Sequence, residues 1–125
     1  MSQVCRAQNN ADTNTLNATQ WERIRELIHN MKIPMSKTTK QKFFLFVQQR
    51  FFLKTKEDMS NMVGEYMRDF INKSFSTFLV IQDILYDILK LSENLMRENY
   101  LKRIKMEHIY EVIIMDEDLK KLFIC

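Results

Sequence analysis

Apolar residues along this chain recur at helical spacing in a series of stretches divided by polar breaks. The longest stretch, 77–101 (TFLVIQDILYDILKLSENLMRENYL), carries Leu79/Val80, Ile81, Ile84/Leu85, Ile88, Leu91/Ser92 and Leu95 on one wide stripe. At about 1.5 Å per residue such a helix reaches close to 40 Å, wider than a small domain, so other elements must be laid along it. Upstream, Trp21, Ile24, Leu27/Ile28 and Met31 make one face of a helix over about 19–31, which Ile33-Pro34 ends. Phe43, Phe44, Phe46, Val47, Phe51 and Phe52 cover more than half the circumference of a second helix, which must then be covered on several sides. Met59, Met62/Val63, Tyr66/Met67 and Phe70/Ile71 form an amphipathic helix before the long one. Met106, Ile109, Val112/Ile113 and Met115 form a helix of about ten residues after it, and Leu119, Leu122 and Phe123 a last turn.

The breaks carry start signals. Asn17-Ala18-Thr19 fits a glycosylation acceptor but is read as a helix start, and Thr19-Gln20-Trp21-Glu22 has the spacing of a capping box. Residues 36–42 (SKTTKQK) read as a basic turn, Thr55 to Asp58 as a second cap, Ser74 or Ser76 as the cap of the long helix, and Asp116 as the cap of the final turn. Residues 1–16 are polar and aperiodic, a disordered tail, which leaves 17–125 as one helical domain with an N-terminal helical pair (17–54) and a longer part (55–125).

Composition sharpens this into an all-α expectation. One Gly and one Pro in 125 residues are too few for a sheet and its hairpins. Nine Met and nine Phe supply a bulky, adaptable core. No apolar run reaches membrane-spanning length, and the N-terminus lacks an apolar signal core, so an intracellular protein without a membrane role is expected. Cys5 and Cys125 do not make a disulfide framework. Charge is uneven: residues 1–57 hold ten Lys/Arg against four Asp/Glu, a net of +6, and residues 58–125 hold nine against twelve, a net of −3. A basic front half suits nucleic acid or an acidic partner, although a solvated surface is the commoner explanation.

Reaction chemistry is not legible. His29 and His108 pair neither with each other nor with Cys at metal-ligand spacing. Gly64, the only glycine, cannot make a phosphate loop. Asp83 and Asp87 mark a polar helix face, and Glu107, Glu111 and Asp116 to Asp118 an acidic end without the turn that calcium requires. No enzyme, cofactor, metal or small-molecule substrate is expected. Stacking of bases on the Phe run, flanked by Lys37, Lys40, Lys42 and Arg50, competes with core packing, which is the commoner role for Phe at this spacing.

From about Met59 onward the order is short helix, loop, long helix, loop, short helix, final turn. This resembles the histone fold, and most of all the histone-fold subunits of TFIID and SAGA. The matching text is Arg103-Ile104-Lys105-Met106-Glu107-His108-Ile109, the apolar run 110–115, and Asp116, which opens the segment DEDLKKLF. The family's Glu-Asp pair is Glu107-His108 here, and the Arg of its later Arg-Asp step is Met115. The resemblance implies a non-enzymatic subunit that pairs head to tail with another histone-fold chain inside a nuclear transcription or chromatin complex. Its pairing surface would be Met62, Met67, Phe70, Ile81, Leu85, Ile88, Leu95, Ile109 and Ile113. DNA contact, where the family makes it, would fall to Lys73, Lys102, Arg103 and Lys105.

Residues 19–53 have no counterpart in that motif. Their two apolar helices favour an alternative, a self-contained bundle of five to six helices that acts as an adaptor or inhibitor and offers a groove to a partner helix. A third expectation, a basic nucleic-acid module, rests on 32–56.

Overall fold

The computed structural model describes residues 16–52 and 77–124. Among them the chain is all-helical, as expected: α1 (Ala18–Asn30), α2 (Lys37–Phe52), α3 (Thr77–Glu98), α4 (Met106–Met115) and α5 (Glu117–Phe123). The expected helix over 59–71, the caps at 55–58 and 74–76, Cys5 and Cys125 lie outside the described residues, as do residues 1–15 of the tail.

Helix α1 starts two residues earlier than the Thr19 box. Asn17 is the cap: its side-chain oxygen accepts from the Gln20 amide at 2.8 Å, and the Gln20 side chain accepts from the Asn17 amide at 3.1 Å. The spacing is that of a capping box, with Asn and Gln in place of Thr and Glu. Leu16, grouped with the tail by its polar neighbours, is buried and stands with buried Trp21 at the two positions of a hydrophobic staple. The helix buries Trp21, Ile24 and Ile28.

The basic turn at 36–42 is instead mostly helix. Ser36 Oγ accepts from the Thr39 amide at 3.1 Å, and α2 runs from Lys37. Phe43, Phe44, Val47 and Phe51 are buried, so core packing accounts for them. Trp21 meets Phe44 edge-on at 6.4 Å. On the opposite side Phe46 stacks on Phe123 at 5.6 Å and meets Tyr110 edge-on at 5.3 Å, while Phe51 meets Phe123 at 5.1 Å. Helix α2 is thus covered by α1 on one flank and by α4 and α5 on another, as a helix apolar over more than half its circumference requires.

Helix α3 is one uninterrupted element of 22 residues, about 33 Å long. Its stripe buries Val80, Ile81, Ile84, Leu85, Ile88, Leu89, Ser92 and Met96 and leaves Leu79 and Leu91 outward. It stops at Glu98 rather than 101, because the chain turns there. The Leu101 amide bonds to Met96 O and the Tyr100 amide to Arg97 O, both at 3.0 Å, with Tyr100 left-handed at φ 59°. That is a Schellman ending with tyrosine where glycine is usual.

Helix α4 lies against α3, and Asp116 both ends α4 and caps α5, its Oδ1 accepting from the Asp118 and Leu119 amides at 3.0 Å each. One bridge ties the two halves: Met35, between α1 and α2, pairs in parallel with Ile104, between α3 and α4, and the Ile104 amide donates to Pro34 O at 2.7 Å. Met35 and Ile104 are themselves buried, and one continuous core includes residues of all five helices.

Candidate functional site

Two surfaces stand out once the core is subtracted, one apolar and one basic. The apolar one is a groove of about 320 Å³ between the C-terminal half of α3 and the end of α4, lined by Leu91, Asn94, Leu95, Glu98, Val112, Met115 and Asp116. Leu91, Leu95 and Glu98 face it because they lie three to four residues apart, one step around α3 from the buried stripe. Val112 forms its floor and Met115, 73% exposed, its lip. Ile114 beside it is also exposed. Glu98 and Asp116 are the charged groups of the lining, and both are acidic. The volume sits at the lower end for ligand pockets.

The basic surface is built by the bridge. The segments 31–37 (MKIPMSK) and 99–105 (NYLKRIK) are far apart in sequence, yet Met35 and Ile104 join them. Together they carry Lys32, Lys37, Lys102, Arg103 and Lys105, all exposed, and no Asp or Glu. None of the five is ion-paired with a described residue, whereas Arg25 is held by Glu22 and Arg97 by Glu93. Tyr100 stands in the same loop, 95% exposed. A left-handed conformation costs a residue other than glycine roughly 1–2 kcal/mol, and so exposed a ring recovers little of that by packing.

A smaller cavity of about 210 Å³ is lined by Arg25, Ile28, His29, Lys40, Gln41, Phe44 and Leu45. Its cations are engaged. Lys40 Nζ donates to His29 O at 3.0 Å and Met31 O at 2.8 Å, tying α2 to the end of α1. Arg25 is paired with Glu22, whose hydrogen bond and charge hold the guanidinium pKa above its ordinary value.

Of the residues expected to form a pairing surface, Ile81, Leu85, Ile88, Ile109 and Ile113 are buried in the core. Leu95 is half-buried and lines the groove. Met62, Met67 and Phe70, and Lys73 of the expected DNA contacts, lie outside the described residues. Lys102, Arg103 and Lys105 are exposed on one loop. Sequence does not place Lys32, Lys37 and Tyr100 beside them; the basic turn is visible there, but its bridging partner is not.

The histidines are not brought together. His108 is buried, and its Nδ1 accepts from the Lys105 amide at 2.9 Å, a capping role at the start of α4. His29 is exposed. Asp83 is half-buried and Asp87 exposed. Among the described residues no group of three or more His, Cys, Asp or Glu could hold a metal ion, and no helix is long and apolar enough to cross a membrane. Compared with known proteins, the chain matches no family model, no curated protein and no solved structure.

Proposed function

We propose that this protein is a non-enzymatic interaction module, a self-contained helical bundle that receives a partner helix in the α3–α4 groove. The observation that carries this is the groove itself: Leu91, Leu95, Val112 and Met115 form an apolar trough beside Glu98 and Asp116. The occupant that fits is an amphipathic helix with large apolar side chains at i, i+3 or i+4 and i+7 and a Lys or Arg at the end that meets the two carboxylates.

The test uses the full chain and two synthetic helical peptides of identical apolar face, one with arginines at that end and one with glutamates. Calorimetric titration should show binding of the basic peptide and not the acidic one. Met115→Glu and Leu91→Glu, at exposed positions, should weaken binding at least about tenfold, the loss of roughly 1.4 kcal/mol, with unchanged melting. Equal binding of both peptides, or of neither, overturns the assignment.

One observation favours a second reading. The order of α3, loop, ten-residue α4 and capped α5 is the order that the histone-fold resemblance expects of its C-terminal half. A subunit of a nuclear transcription or chromatin complex, paired with another histone-fold chain, is proposed on that ground. It requires residues such as Ile88 to exchange their present neighbours for a partner's.

A further inference from the structure

From the paired loops we infer that the protein binds single-stranded nucleic acid at a site separate from the groove, with Tyr100 stacking on a base and the lysines and arginine around it holding phosphates. Three observations converge. The bridge of Met35 with Ile104 and the bond from the Ile104 amide to Pro34 O fix two loops side by side. Those two segments carry five exposed cations and no carboxylate within their bounds, Glu98 and Glu107 standing just outside them. A backbone track of this kind suits a polyanion rather than a single ion, because its charge is spread along two segments and is enclosed by neither.

Tyr100 makes the choice between nucleic-acid forms. Glycine is the residue that the left-handed end of α3 favours, and tyrosine stands there with its ring nearly wholly in solvent. A duplex hides its base faces in the stack and offers such a ring only edges and phosphates. A single strand presents faces on which the ring can lie. Leu101, also exposed, adds an apolar neighbour to the same platform.

The experiment is fluorescence anisotropy with the full chain and a labelled oligothymidylate of about 12 nucleotides, within the range of single-strand site sizes. An oligouridylate of equal length and a duplex of equal length serve as comparisons. Both single strands should bind more tightly than the duplex. Tyr100→Gly should weaken single-strand binding about tenfold or more, the scale of one stacked base, and leave duplex binding and the salt slope unchanged. Tyr100→Trp should retain it. Lys102→Ala should flatten the slope of log affinity against log salt by about 0.7, one phosphate of a single strand. Tyr100→Gly suits the backbone at that position, so loss of binding cannot be charged to misfolding; a melting curve at or above that of the natural chain verifies this. Tighter binding of the duplex, no binding of either single strand, or single-strand affinity untouched by Tyr100→Gly overturns the inference. None of these results bears on the groove, which lies on other residues.

Discussion

Lys40 shows how much one side chain can settle here. It is 9% exposed, yet its ammonium has no carboxylate partner among the described residues; it directs its charge at two carbonyls at the end of α1. Those carbonyls are among the groups a helix end leaves unsatisfied. Lys40→Met keeps the apolar stem and removes the donors, so it should cost about 1–3 kcal/mol, read as a lower urea midpoint with unchanged slope. Ser92 points the other way. Its hydroxyl is buried in the α3 stripe and has no hydrogen-bond partner among the described residues, as also holds for Trp21 Nε1 and Arg50 Nε. Ser92→Ala should therefore leave stability unchanged or raise it by up to about 1 kcal/mol, measured in the same titration; a clear loss would mean the hydroxyl is bonded. The place of Ser92 on the buried stripe is legible from its spacing, whereas the role of Lys40 is not. Lys40 reads as one more charge in a basic run, and its burial depends on where α1 ends.

At the scale of elements, periodicity is legible and boundaries less so. The single long helix, the ten-residue α4 and the Asp116 cap follow from apolar spacing and one acidic residue between two helices. The start of α1 is displaced because Asn-x-x-Gln stands in for Thr-x-x-Glu. The end of α3 is displaced because no Gly or Pro stands between Leu95 and Leu101 to mark a stop, while the left-handed Tyr100 turns the backbone there. Phe44, Phe46 and Phe51 are legible as core because no one-sided contact could cover that helix. What periodicity cannot carry is a bridge between loops on either side of most of the chain, so the basic surface shows in sequence as two unrelated charge runs. Asp116 gives this scale its prediction. Its carboxylate caps α5 through two amides, and α5 supplies buried Leu119, Leu122 and Phe123. Asp116→Ala should cost about 0.5–2 kcal/mol, with amides of α5 losing hydrogen-exchange protection before those of α3. Asp116→Asn should retain most of the stability. A uniform loss of protection across all helices would instead tie α5 to global unfolding.

The whole molecule raises the question of where the apolar faces are closed. A histone-fold chain leaves them open for a second chain, and its folded monomer need not exist. Here the core runs from Leu16 to Phe123 within one chain, and the aromatic contacts of Phe46 and Phe51 with Phe123 fasten its first half to its last helix. The N-terminal pair, which has no counterpart in the motif that carries the resemblance, contributes Trp21, Ile24, Ile28, Phe43 and Val47 to that core. The self-contained bundle proposed above would close its core within one chain, and its stability would then be independent of protein concentration. Sedimentation equilibrium should accordingly find a folded species at the mass of one chain, and the melting temperature should not move over a dilution of about a hundredfold, the range in which a weakly paired dimer would shift visibly. Ile88→Asp, which sets an unpaired charge in the buried stripe of α3, should abolish that fold outright. If the natural chain is insoluble alone, or melts at a temperature that rises with concentration, the faces are closed by a partner and the heterodimer takes precedence over the adaptor. If it is monomeric and Ile88→Asp nonetheless melts normally, the stripe does not bury what its spacing says, and both readings lose their common support.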